Sequence, residues 1–121
     1  MAAKKLFCIG NPLLDISADV DQAFLDKYGV TLNNAILCEE KHLPVFADLV
    51  ANHSPQYIAG GATQNTARVC QWQTNVAGAV SYAGSIGKDE FGQKLKDAAA
   101  ADGLTTLYKE NEGVATGTCA V

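Results

Sequence analysis

Ala59-Gly60-Gly61-Ala62-Thr63-Gln64-Asn65-Thr66-Ala67-Arg68 carries the apolar pair Tyr57-Ile58 through a double glycine and straight into a helical pattern. Two adjacent glycines remove the Cβ atoms that would hold a ligand off the backbone, and the first turn of the following helix has free N–H groups. Asn65 adds an amide donor and a carbonyl acceptor. Upstream, Asn11-Pro12-Leu13-Leu14-Asp15 supplies in Asp15 an acceptor-only carboxylate, suited to the paired hydroxyls of a ribose or another polyol. The two segments together point to a sugar or nucleoside site. Taken alone, Asp15 fits equally well as a carboxylate satisfied by N–H groups of its own loop.

The flanking pattern alternates strand and helix. Residues 5–10 read as a buried first strand that delivers residues 11–15 at its carboxyl end, where open α/β sheets bind ligands. Ile16, Ala18 and Val20 alternate with polar residues, which predicts a half-buried strand over 16–20. Asp21 then caps a short helix through Tyr28 that stops at Gly29. Residues 35–38 form a second short strand candidate, and residues 43–53 a helix with Pro44 in its first turn. Past Gly61, Thr66, Val69, Cys70 and Gln73 share the helix face expected to meet the sheet, with Trp72 as packing. Residues 76–83 read as a buried strand, 89–102 as a helix stopped by Gly103, 104–108 as a strand, and 117–121 as the last. Strands joined by helical crossovers imply a parallel sheet, while the short strands at 16–20, 35–38 and 117–121 form a separate flap.

With 121 residues, 48% of them hydrophobic and 18% charged, the chain has enough apolar surface for one modest core. A net charge of −4 with scattered Lys and Arg excludes a nucleic-acid surface, and no apolar run is long enough to span a membrane. The start of the chain lacks the apolar core of a signal peptide, so the cytoplasm is the expected address, with the nucleus as the alternative. Cys8, Cys38, Cys70 and Cys119 stand singly, without zinc-type spacing, and read as small buried hydrophobes. His42 and His53 read as surface residues.

Two phosphate loops fail on residue grounds. At Gly87-Lys88 a Walker loop would need a glycine at Tyr82 and Ser or Thr at Asp89, and no Gly-x-Gly-x-x-Gly fingerprint occurs. The stretch from Gly84 to Gly92 reads instead as structural, with Gly87 turning the backbone, Asp89 capping a helix and Phe91 anchoring it.

Residues 11–18 (Asn-Pro-Leu-Leu-Asp-Ile-Ser-Ala), 24–28 (Phe-Leu-Asp-Lys-Tyr), Gly60-Gly61 with Gln64-Asn65, Gln71-Trp72, 84–92 and 116–120 resemble, in order and spacing, the start of the adenosine kinases. The Gly-Gly and Ile-Gly-x-Asp-x-Phe-Gly segments are similar to those of the wider ribokinase-like sugar kinases. The resemblance implies an α/β fold, a ribokinase-like parallel-sheet body with a small β lid, of which this chain is the N-terminal portion. It also implies transfer of the γ-phosphoryl group of Mg-ATP to the 5′-hydroxyl of adenosine by a protein that is monomeric when complete, with adenosine and ATP as partners and Mg2+ required.

By the same resemblance Asp15, Asn65 and the Gly61 backbone bind ribose, with Gly60 and Ala62 beside them. Asn11, Leu13 and Leu37 line the nucleoside pocket, and Cys119 lies on a strand facing the base. Ala62 and Ala35 stand where relatives carry more polar residues. The Gly-Ala-Gly-Asp segment that holds the family's catalytic aspartate does not occur here, so no catalytic residue is assigned, and the chain alone is expected to be inactive. Two other readings stay open: a related kinase of ribose or fructose, and a non-catalytic nucleoside-binding or assembly module.

Overall fold

The computed structural model describes residues 5–121. The chain divides into two compact units: one of the residues up to Asp15 together with Tyr57–Cys119, the other of Ile16–Gln56 with Ala120–Val121. The elements run β1 (Leu6–Ile9), β2 (Leu13–Ser17), α1 (Gln22–Tyr28), α2 (Pro44–Asn52), β3 (Gln56–Gly60), α3 (Ala62–Thr74), β4 (Val80–Gly87), α4 (Glu90–Ala101), β5 (Thr105–Asn111) and β6 (Thr118–Ala120). They build two three-stranded sheets, in the orders β1-β4-β5 and β3-β2-β6.

The first unit is built on the sheet β1-β4-β5, in which both pairings are parallel. Helices α3 and α4 pack on it. Cys8, Tyr82 and Val80 point into the core with Ala67 and Leu104, and Cys70, Ala79 and Tyr108 close around them. The alternate residues Phe7, Ile9 and Leu107 are exposed. Cys8 is therefore the one buried residue of β1, where continuous burial was expected.

Helix α3 is turned relative to the expected face. Gln64, Ala67 and Gln71 are buried, whereas Thr66, Val69 and Gln73 are exposed and Trp72 is 77% exposed. Two buried glutamines are tolerable because their amides are satisfied. Gln64 donates to the Gly60 carbonyl at 2.9 Å and accepts from the Tyr108 hydroxyl. Burial, with Tyr82 nearby, pushes the Tyr108 phenol up, so it keeps the proton it donates. Gln71 donates to the Val76 carbonyl and accepts from the Val80 N–H, pinning the turn from α3 into β4. That turn, with Asn75 and Gly78 at positive φ, occupies residues expected as strand, so β4 starts at Val80.

Gly87 ends β4 rather than turning the chain. A Cβ there would lie 2.3 Å from the Val114 carbonyl oxygen and 2.6 Å from the Thr116 nitrogen, so the position is a close crossing of two backbones. Asp89 caps α4 as expected, accepting from the Gly92 N–H at 2.7 Å, and also takes the Thr116 hydroxyl and N–H. Burial raises the Asp89 pKa, but these three donors outweigh it and hold the carboxyl below its ordinary range. Asp89→Ala is expected to cost about 1 kcal/mol or more, as loss of a helix cap does. Because the folded pKa is lowered, this contribution is full above the ordinary carboxylate range and disappears as pH falls through the lowered pKa. Wild-type and Asp89→Ala unfolding midpoints should therefore converge in acid, and urea melts at a series of pH values check this.

In the second unit Asp21 caps α1 through the Phe24 N–H at 2.9 Å, and Gly29 closes it at φ 64°. Asp48 of α2 accepts from Lys27, the Tyr28 hydroxyl and Asn52, which hold it well below the usual carboxylate range. His42 is buried, contrary to expectation, because its Nδ1 accepts the Glu39 N–H at 3.0 Å in a capping box. His53 is half-buried against the Phe24 ring. Residues 35–38 form no strand: they are exposed throughout and no neighbouring strand pairs with them. Cys38 is accordingly exposed rather than buried.

Candidate functional site

Strand alternation aims Asp15. Leu14 and Ile16 are fully buried, so Asp15 between them projects from the other side of β2, inside the strand rather than on a loop before it. The Leu14 N–H donates to the Gly117 carbonyl at 2.9 Å. The Val121 N–H donates to Ile16 at 2.9 Å, and the Val121 carbonyl accepts from Ala18 at 3.1 Å. This is the slanted pattern of a parallel pair, and its register sets Cys119 opposite Asp15. In the same register Ser17 stands opposite Val121, and β2 ends at Ser17 rather than running on to residue 20. Burial first and the Asp15 charge second push the Cys119 thiol up, which keeps it protonated.

The double glycine has a local purpose. A Cβ at Gly60 would lie 2.3 Å from Asp15 Oδ2, and one at Gly61 2.6 Å from the Asn11 carbonyl oxygen. The space read as room for a ligand is thus taken by the chain's own carboxylate and main chain, which brings β2 and the start of α3 together. Gly61, at φ 97°, precedes α3 as its N-cap without a side-chain capping bond. The first N–H groups of α3 are left without that partner, as the sequence predicted.

Asn65 and Arg68 lie one helical turn apart on α3. Arg68 Nη1 donates to the Ala59 carbonyl at 2.7 Å and to Asn65 Oδ1 at 3.2 Å. Its Nε donates to Asp102 at the end of α4, at 2.5 Å. Burial pushes the Asp15 pKa up, with the Arg68 charge pulling against it. Asp15, Asn65, Arg68, Trp72 and Asp102 are among the residues lining a cleft of about 1060 Å³. An acceptor, an amide and an exposed indole lining one cleft can take a hydroxylated ring carrying a flat, stackable group.

Of the residues singled out in the sequence, Asp15 and Asn65 line this cleft. Gly60, Gly61 and Ala62 form the strand-to-helix junction, with the Asn11 carbonyl against Gly61 and the Leu13 side chain against Gly117. Cys119 pairs across from Asp15. Leu37 belongs to the second unit, on irregular backbone, with its side chain 90% exposed. Arg68, Trp72 and Asp102 were missed. Arg68 was legible as the i+3 neighbour of Asn65, while Asp102 is brought in from another helix.

Comparison with known proteins gives a consistent picture. Adenosine kinase 1 of Arabidopsis thaliana is 55% identical over 116 residues, which is 96% of this chain and 34% of that protein. The structure of Trypanosoma brucei brucei adenosine kinase (apo) superposes with a TM-score of 0.91 at 36% identity, over 100% of this chain and 37% of that one. Adenosine kinase from Schistosoma mansoni in complex with adenosine and AMP gives 0.84 at 37% identity, over 100% of this chain and 37% of that one. The chain thus spans about a third of the length of the relatives it matches. The model of the pfkB family carbohydrate kinases matches residues 22–121. With its parallel α/β sheet and its glycine-bounded start to α3, this chain belongs to the pfkB family of carbohydrate kinases.

Proposed function

We propose that this chain is the nucleoside-holding part of an adenosine kinase, an enzyme that transfers the γ-phosphoryl group of Mg-ATP to the 5′-hydroxyl of adenosine to give AMP and ADP. The observation that carries the reading is that Asp15 and Asn65 both line one cleft, with the Asp15 carboxylate seated over Gly60. The Arabidopsis relative and the Schistosoma complex support adenosine as the nucleoside. Asp15 accepts from one ribose hydroxyl and Asn65 bonds the other. Holding the acceptor in place is a large part of catalysis in phosphoryl transfer, which depends on positioning and charge stabilisation.

Residues 16–20 and 117–121 are proposed as parts of a lid that keeps water from the transfer. Asn11, Leu13, Ala62 and Cys119 are proposed to border the nucleoside. Among the described residues no three His, Cys, Asp or Glu side chains gather to hold a metal ion, so none is assigned to Mg2+. No helix among them is long and apolar enough to cross a membrane, and a cytoplasmic, monomeric enzyme is part of this proposal.

Trp72 is the sole tryptophan and lines the cleft, so its fluorescence reports binding. Adenosine is expected to change Trp72 emission saturably, and ribose to compete far more weakly. The chain incubated with adenosine and Mg-ATP is expected to form no AMP. Stronger competition by ribose would move the assignment to a sugar kinase, and AMP formation would contradict the account of what this chain contributes.

A further inference from the structure

We propose that Arg68 is the positioning residue of the ribose site: its guanidinium fixes which end of the Asn65 amide faces the ligand and supplies the positive charge beside Asp15. This inference rests on the nucleoside reading of the cleft and adds to it a residue that need not touch the nucleoside.

A guanidinium has five N–H donors and no acceptor, so the Asn65 atom facing Arg68 Nη1 at 3.2 Å has to be the oxygen. With Oδ1 engaged, Asn65 presents its NH2 group to the cleft. Asp15 presents an acceptor. The cleft lining therefore offers one donor and one acceptor, which suits two neighbouring hydroxyls: one donates its hydrogen bond to Asp15 and the other receives a bond from Asn65. Without Arg68 the Asn65 amide is free to turn over and set its carbonyl beside Asp15, leaving two acceptors where one hydroxyl needs a donor.

Arg68 itself is held at three points on three elements. It donates to Ala59 in β3, to Asn65 in α3 and to Asp102 past the end of α4. Its side chain is only 25% exposed, so these bonds are shielded from competing water. A lysine keeps the charge but has no planar fork, and cannot hold these directions together. Asp15 faces Arg68 from α3 and Cys119 from β6; the thiol stays neutral, which leaves Arg68 as the cation acting on the carboxylate.

Two readouts separate this proposal from the reading beneath it. The first needs no ligand. In the 121-residue chain labelled with 13C and 15N, the Asp15 carboxyl titration and the Asn65 side-chain NH2 signals are followed by NMR in wild type, Arg68→Gln and Arg68→Lys. The Asp15 midpoint is expected to rise in Arg68→Gln and to stay near wild type in Arg68→Lys, while the Asn65 NH2 signals shift in both.

The second readout is the adenosine affinity across pH. Arg68→Gln is expected to bind about tenfold more weakly, the scale of one lost charge-assisted bond. The acid limb of its binding curve is expected to lie at higher pH, because the ionised Asp15 is the stronger acceptor. Should Arg68→Gln fail to fold, Asp102→Asn loosens the same anchor with the charge retained, and is expected to move the Asn65 signals but not the Asp15 midpoint. Unchanged Asn65 signals and Asp15 midpoint in folded Arg68→Gln overturn the proposal, whatever the ligand does. If those shifts appear while wild type binds no nucleoside, the ribose reading falls and the role assigned to Arg68 in that site falls with it.

Discussion

Asp15→Asn is expected to bind adenosine about 10- to 100-fold more weakly, since a hydrogen bond to a charged group contributes about 1.5–3 kcal/mol and each ~1.4 kcal/mol is tenfold. The same substitution is expected to leave the protein at least as stable at neutral pH. The reason lies in the direction of the Asp15 pKa: burial raises it, and Arg68 only partly compensates. A raised folded pKa means that the protonated form is favoured on folding, so stability falls as pH rises from the ordinary carboxylate range to that pKa and stays lowered above it. Asparagine has the same shape and no such charge. A residue kept for packing would show the opposite pattern, a loss of stability with binding following it down. Titration calorimetry and urea melts on the two proteins distinguish the cases.

Gly87→Ala is expected to be the most damaging single-methyl substitution on the framework. Its Cβ would lie 2.3 Å from one backbone oxygen, 2.6 Å from a backbone nitrogen and 2.7 Å from Asp89 Oδ2. Backbone on both sides of the contact cannot swing away as a side chain would, so the loop from Val114 to Thr116 has to move. Overpacking of this kind costs about 3 kcal/mol, and a chain of this size then loses roughly 10 °C or more in midpoint.

Gly78→Ala is the informative control. Its Cβ meets nothing within 4 Å, and its φ of 70° is the only strain. That change should cost about 1 kcal/mol. Equal losses at the two positions, read by thermal melts, would show that close backbone approach is not what Gly87 provides.

Local signals carried much of the fold. Asp21 and Gly29 bound α1, Asp89 and Gly103 bound α4, and in each case the cap acts within four residues of itself. What failed depended on partners far along the chain. Residues 35–38 are as apolar as a strand should be, but a strand exists only where another edge pairs with it, and none does. The inward face of α3 was misjudged, with Gln73 rather than Gln64 and Gln71 set toward the sheet, because nothing local shows that Tyr108, 44 positions away, arrives to satisfy Gln64.

The candidate site divides the same way. Asp15 and Asn65 were singled out from residue chemistry, the glycine context and the family resemblance together, since chemistry alone fitted Asp15 equally well as a self-satisfied carboxylate. The use of Gly60 as a seat for the Asp15 carboxylate could not be foreseen, because it depends on β2 and β3 lying side by side. Nor could the link from Arg68 to Asp102, which joins residues 34 apart. Trp72 was misread as packing because an indole is more often buried than left on a cleft wall.

Asp15 and Asn65 are proposed to hold the two ribose hydroxyls of a nucleoside. Titration calorimetry of the 121-residue chain with adenosine and with 2′,3′-dideoxyadenosine tests it most directly, because the two ligands share a base and differ only in those hydroxyls. The account predicts a saturable heat with adenosine and at least a tenfold weaker interaction with the dideoxy compound, the scale of one lost hydrogen bond to a charged group. Equal affinity for the two ligands would contradict it.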